Sequence, residues 1–333
     1  MTTKQIDPDV DARRQQELHH RRSSRNLKIG AFAVAAVVGV AALVLVFANR
    51  TEPSGNGPAE DPSPPPVTEL SETSLVDLRT GDAQSLPESI LGGVVYFTSP
   101  DGTMFAYNGC CPSTNPAFVA NVDGTGVREI TPAGIDGFGV RWSPDGSMLV
   151  YQGRDTATHE IGNIFVFDLA TGETTQVTDL DPATYGWWFL APTFSADGET
   201  IVFHVPRGPD DDETTRWDLW SVPVAGSEPS LLVRDASMAA SAPGGGTIAY
   251  LGSPRGYWAS PRLMIADVDG GDPRVLVEGN QIDYPRWSPD GTRIVYVDGD
   301  GIHVVDVSTG QTSLVAEGES ADWFGDDTLV IVP

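Results

Sequence analysis

The sequence predicts an all-β protein, a six-bladed β-propeller of four-stranded antiparallel blades preceded by one transmembrane helix. Three observations carry that expectation. A strand, a tight turn built on Ser-Pro-Asp-Gly and a second strand recur along the C-terminal part of the chain. A further hairpin follows each recurrence, which makes every unit a four-stranded blade that stacks on its neighbours. Ahead of all the repeats stands an uncharged run of twenty residues, Ile29 to Ala48.

That run reads IGAFAVAAVVGVAALVLVFA, about the length that crosses a ~30 Å hydrocarbon core as a helix. Arg13, Arg14, Arg21, Arg22, Arg25 and Lys28 precede it, and only Arg50 follows closely. The positive-inside rule then places residues 1–28 in the cytoplasm as a short tail and everything after Ala48 outside. A cleaved signal peptide ending at Val46-Phe47-Ala48 is the alternative, although its apolar run would exceed the usual ~7–15 residues. Either way the bulk of the chain is exported, and the expected location is the cell membrane in a single pass. No Cys just after the run offers a lipoprotein anchor.

Residues 49–70, rich in Pro, Gly, Ser and acid, cannot bury a core and read as an extended linker. At ~3.1 Å per residue it holds the next domain up to ~60 Å from the bilayer.

Residues 71–333 form the propeller. The turn element appears as YFTSPDGTMFAY, RWSPDGSMLVY, TFSADGETIVF, SAPGGGTIAY, RWSPDGTRIVY and, worn, DWFGDDTLVIV. Its turn position falls at Gly102, Gly146, Gly198, Gly245, Gly291 and Asp327, in steps of 44, 52, 47, 46 and 36. Pro presets φ, Asp accepts local backbone hydrogen bonds and Gly adopts positive φ, so the motif closes a hairpin. The second hairpins include IFVFDLATGETTQVT and IHVVDVSTGQTSLVA. The sixth unit ends at Pro333 after its first hairpin. Thr73–Pro87, TSLVDLRTGDAQSLP, matches the second-hairpin pattern, with Asp77 and Gly81 in register with Asp168 and Gly172. The N-terminal hairpin is therefore expected to complete the last blade and pair its open edge.

The WSPDG turns at Trp142–Gly146 and Trp287–Gly291, with the DxxTG hairpins, resemble the repeats of TolB-like, WD-repeat-like propellers. The resemblance covers Thr73 to Val332 and implies the fold. It implies no single function, because such propellers serve as scaffolds, sensors and non-catalytic partners of enzymes. The fourth and sixth turns depart from the pattern, and the separate N-terminal domain of TolB is absent.

Charge narrows the partners. From Thr51 onward there are 12 Arg, no Lys and 42 acids, about −30 in all. Such a surface repels phosphate backbones, so no nucleic-acid partner is expected. A protein or a cell-envelope glycan remains as partner, bound by a monomeric propeller that meets the membrane only through its helix. The loops opposite the turns vary most, and variable loops on a rigid scaffold are where binding resides. They and the crossovers beside them carry Tyr185, Trp187, Trp188, Trp217, Tyr257 and Trp258 toward one rim, where either Trp187 and Trp188 partly pack between blades or the set forms a ligand platform. Cys110 and Cys111 are adjacent and exported, open to a vicinal disulfide, an intermolecular bridge or two free thiols. No cofactor or metal is expected: the Pro209–Glu213 acids lack an ordered ligand spacing. The alternative to a binding or sensor module is a glycan lyase or hydrolase with catalytic residues on the variable-loop face, where His159 beside Glu160 is the first candidate.

Overall fold

The computed structural model describes residues 70–87, 90, 93–109, 115–158, 161–180, 190–207, 216–252, 261–279, 281–299 and 301–333, all within one compact unit, Pro53–Pro333. The expected tail, transmembrane helix and nearly all of the linker lie outside the described residues. No helix among the described residues is long and apolar enough to cross a membrane.

The described strands make six four-stranded antiparallel sheets. Strands β1 (Ser74–Asp77) and β2 (Ala83–Ser85) come first in the chain. Blade 1 is β3 (Gly93–Thr98), β4 (Met104–Gly109), β5 (Ala117–Asn121) and β6 (Arg128–Glu129). Blade 2 is β7 (Ile135–Trp142), β8 (Met148–Asp155), β9 (Ile161–Asp168) and β10 (Thr174–Gln176). Blade 3 is β11 (Thr193–Phe194), β12 (Thr200–Arg207), β13 (Arg216–Pro223) and β14 (Ser230–Val233). Blade 4 is β15 (Ala236–Ser241), β16 (Thr247–Gly252), β17 (Arg262–Asp267) and β18 (Arg274–Glu278). Blade 5 is β19 (Ile282–Trp287), β20 (Arg293–Asp298), β21 (Gly301–Asp306) and β22 (Thr312–Glu317). Blade 6 joins β23 (Ser320–Trp323) and β24 (Thr328–Val332) to β1 and β2.

Burial assigns inside and outside. The second strands are buried through their middles, as at Leu149–Gly153 of β8, whereas β2 and β6 are exposed throughout. The first strands contact one another from blade to blade. They form an inner ring around a central channel, and the last strands form the rim. Between blades the β-branched and aromatic residues interdigitate, as Val150, Ile164 and Val166 of blade 2 do with Ile201, Phe203 and Val205 of blade 3. Each such side chain contributes about 1.5–3 kcal/mol by leaving water.

The chain closes on itself as the hairpin register predicts. Strand β1 pairs with β24 over Ser74↔Ile331 to Asp77↔Thr328, and the Leu78 N–H extends the ladder to the Asp327 carbonyl at 2.8 Å. Val76 and Leu78 pack into a core shared with blade 5. Leu75 and Leu86 pack into one shared with blade 1. One hairpin thus seals both flanks of the last blade.

The turn face is a set of near-identical local solutions. In blade 1 the Ser99 hydroxyl donates to Asp101 at 2.6 Å and accepts the Met104 N–H at 2.9 Å, while Asp101 also accepts the Thr103 N–H at 3.1 Å. Ser143 with Asp145, Ser195 with Asp197 and Ser288 with Asp290 repeat the pattern. These turn carboxyls serve the backbone, as their spacing predicts. The Ser99, Ser143 and Ser195 hydroxyls, followed by backbone N–H groups, hold Asp101, Asp145 and Asp197 below the usual carboxylate range. Gly146 and Gly291 sit at φ 72° and 71°, where any Cβ is strained.

Candidate functional site

The inner strands share a defect that aims side chains at the axis. Three residues before the last residue of β7, β11, β15 and β19 stand Gly139 (φ 62°), Ala191 (φ 42°), Met238 (φ 51°) and Tyr284 (φ 50°), all left-handed. In blades 2, 4 and 5 the ladder shifts register at this place. A bulge bends its strand and re-aims the residues that follow. For Tyr284 the conformation is strained, since bulky L-residues rarely hold positive φ. Just beyond each bulge comes the penultimate residue of the strand: Arg141, Thr193, Ala240 and Arg286. The same place in β3 and β23 holds Phe97 and Asp322.

Indole hydrogen bonds lock this ring into register. Trp142 Nε1–H donates to the Phe97 carbonyl at 2.9 Å, Trp287 to that of Ala240 at 3.1 Å and Trp323 to that of Arg286 at 3.1 Å. In each case the Trp of one blade binds the penultimate residue of the blade before it. The carbonyls of Phe97, Ala240 and Arg286 thus turn toward the neighbouring blade.

Two cations meet over one ring. The guanidinium carbon of Arg141 lies 3.7 Å from the Phe97 ring centroid, and that of Arg286 lies 5.6 Å from it. Blades 2 and 5 stand opposite each other in the ring, and blade 6 separates blade 5 from blade 1. Arg286 therefore reaches Phe97 across the channel. Phe97 itself is buried, and its negative π-face attracts both cations. Thr193 and Ala240 are too short to reach the axis from the remaining side.

Neither fork is used up by protein partners. Arg141 Nη1 donates to its neighbour's carbonyl at Val140, 2.8 Å away, and Arg286 Nη1 to that of Pro285, 2.6 Å away. The Nε of Arg286 is buried without a hydrogen-bond partner. Among the described residues neither arginine forms an ion pair, although Arg79, Arg154, Arg207 and Arg293 all do. Arg128 and Arg274 also lack a carboxylate partner, but they lie on exposed outer strands.

Asp322 is the acid that acts on Arg286. Its Oδ2 accepts the Thr98 N–H at 3.2 Å. Burial pushes its carboxyl up to about 6, against the opposing pull of Arg286. Burial also lowers Arg286, to about 10, while Asp322 opposes. The arginine stays charged at any physiological pH, so the carboxyl is the member that titrates. Nearby in β19, Tyr284 has its hydroxyl pushed up to about 12 by burial, then by Asp283 and Glu319. It remains a neutral donor.

Of the aromatic set expected on the variable-loop face, Trp217 alone is among the described residues. It is buried in β13 and meets His204 edge-on, ring centroids 4.8 Å apart. His204 is buried too, its Nδ1 accepting the Met238 N–H at 3.1 Å. Tyr185, Trp187, Trp188, Tyr257, Trp258, His159, Cys110 and Cys111 lie outside the described residues. Sequence reasoning passed over Arg141, Arg286, Phe97 and Asp322. The signal was there: the residue two before the turn serine changes from Phe to Arg, Thr, Ala and Arg while its surroundings repeat.

No protein-family profile matches the chain. An uncharacterized protein of Agrobacterium fabrum is 26% identical over 212 residues, 60% of this chain and 67% of the relative. The Tol-Pal system protein TolB of Xylella fastidiosa is 39% identical over 59 residues, 16% of this chain and only 13% of that protein's length. Among solved structures, a TolB-type protein from Agrobacterium tumefaciens superposes at TM-score 0.53 with 19% identity, over 67% of this chain and 81% of the other. TolB from Acinetobacter baumannii reaches 0.53 with 16% identity, over 74% of this chain and 65% of the other. The chain is a six-bladed β-propeller with TolB-like neighbours. An oligogalacturonate lyase from Vibrio parahaemolyticus superposes at 0.51 with 16% identity, over 75% of this chain and 74% of the other. At these identities the structural likeness is one of fold.

Proposed function

We propose that this chain is a single-pass, membrane-anchored propeller on the outer side of the membrane that binds a protein or cell-envelope ligand, as scaffold or sensor. The observation that supports a binding role most is the meeting of Arg141 and Arg286 over Phe97. Two cations from opposite blades, one presented just after the strained Tyr284 and neither closed into an ion pair among the described residues, are poor for stability and good for recognition. The charge asymmetry around Ile29–Ala48 supports the anchor and its direction. Protease added to intact cells should digest the propeller and spare the first 28 residues. Protection of the propeller would sink the topology. Full-length protein in nanodiscs should bind envelope glycan fragments or an envelope protein saturably and release no product.

A second reading, a glycan lyase or hydrolase, draws on one observation. Burial raises the Asp322 carboxyl to about 6 beside Arg286, the setting of a general acid or base. It adds Asp322 in the channel to His159 as a catalytic candidate. Product formation lost in Asp322→Asn would establish it.

A further inference from the structure

We infer that the channel ring is a seat for a single carboxylate, gripped between the guanidinium groups of Arg141 and Arg286 above the Phe97 ring; this rests on reading the propeller as a binding module and names what the module holds.

The argument starts from the free donors. Each arginine offers five N–H groups in a planar fork, and the hydrogen bonds formed here engage one Nη of each. A planar carboxylate matches such forks bidentately and satisfies donors that otherwise stay unmet. Both arginines are partly open to solvent, so a ligand can reach them along the channel, whereas Phe97 is closed off and forms a floor.

Charge selects the anion. With Asp322 ionised the ring carries two positive charges and one negative, which one carboxylate neutralises. A dianionic phosphate leaves the ring with a net negative charge and suffers more from Asp322 and from the surrounding field of about −30. That field repels any anion at distance, but screening confines it to about 8–10 Å at physiological salt, and the forks act at contact. Asp322 competes with the ligand for Arg286. Removing its charge therefore strengthens binding, an effect that a merely structural arginine pair has no reason to show.

Two kinds of molecule carry such a group, a peptide C-terminus and a uronic acid. Calorimetric titration of the full-length protein in nanodiscs would use N-acetyl-dialanine and glucuronic acid as probes. Their uncharged counterparts, the dialanine amide and glucuronic acid methyl ester, and inorganic phosphate would serve as controls. Expected is saturable binding of at least one free acid, about tenfold or more weaker for its uncharged counterpart and for phosphate. Arg141→Gln and Arg286→Gln should each lower the affinity about tenfold or more, while Asp322→Asn should raise it several-fold. Equal binding of acid and uncharged counterpart overturns the seat, as does binding untouched by the substitutions in folded variants. Failure of both free acids to bind also overturns it. Saturable capture of an envelope ligand that survives both arginine substitutions would leave the binding module standing and the seat refuted.

Discussion

The turn serines stand two positions after the channel ring, yet the two positions are built on opposite principles. At Ser99, Ser143, Ser195 and Ser288 the repeats converge on one side chain, with the same carboxylate and backbone partners each time. At Phe97, Arg141, Thr193, Ala240, Arg286 and Asp322 they diverge on an equally regular backbone. Repetition marks what the fold requires of every blade. Divergence inside a repeated frame marks what only the whole ring requires. The turns satisfy their own hydrogen bonds locally, whereas the ring leaves the Arg286 Nε unmet and strains Tyr284 in the strand that presents it.

The largest effect should come from breaking the frame on which both positions depend. Deleting Thr73–Pro87 removes two strands, the ladder to β24 and buried Leu75, Val76, Leu78 and Leu86. At about 1.5–3 kcal/mol for each buried side chain, the loss matches or exceeds the stability of a typical domain. No cooperative thermal transition should remain. A melt like that of the intact chain would show that the closure is ornamental.

How legible each region was follows from the same contrast. The six turns, the blade period and the N-terminal closure could be read because Pro, Asp and Gly act over four residues and recur. Asp77 and Gly81 announced their partners through spacing alone, and in the structure Asp77, Asp168 and Asp306 each accept the backbone N–H three residues on. The channel could not be read that way. Arg141 and Arg286 are 145 residues apart and share a site only after blades 2 and 5 are set opposite. The left-handed residue two places before Arg286, Tyr284, carries no sequence signature either. Trp217 misled for the opposite reason: an aromatic near a variable loop was expected at the rim, whereas here it is packed on His204.

Single turn substitutions test whether the repeats are equivalent. Ser143 and Ser288 are fully buried, and each hydroxyl bridges a carboxylate to a strand N–H. Replacing either with Ala should lower stability by about 1–3 kcal/mol, because a buried donor and acceptor lose their partner. Urea denaturation should give the two variants the same loss to within about 0.5 kcal/mol. Unequal losses would mean that the blades do not share one local solution.

Acid separates the two regions by sign. The turn carboxyls Asp101, Asp145 and Asp197 are held below their unfolded values, so their contribution is present above about pH 4 and is lost as pH falls through the folded values. Asp322 runs the other way. Its folded value of about 6 lies above the ordinary 3.8, so the folded state holds the proton more tightly. Stability should therefore fall, by on the order of 2 kcal/mol, as pH rises from about 4 to above 6, and stay level beyond. Urea midpoints measured between pH 4.5 and 7 should show that decline in the wild type and not in Asp322→Asn. Equal slopes in both would remove Asp322 from the balance.

The smallest expected change is the most telling about the ring. Arg286→Met exchanges a cation with a buried, unpartnered Nε for an apolar side chain of similar length. Had Arg286 been closed into an ion pair, its loss would leave a buried carboxylate and lower stability by about 3–5 kcal/mol. Here Asp322 escapes that penalty by taking up a proton, which burial already favours. The desolvated guanidinium, with its loose hold on Phe97, contributes little in return. Stability at pH 6 should accordingly shift by less than about 1 kcal/mol, or rise. A loss as large as that of Ser288→Ala would place Arg286 with the turns, as a residue kept for the fold. A neutral or stabilising result would place it with residues retained against the interest of stability, which is where a binding group belongs.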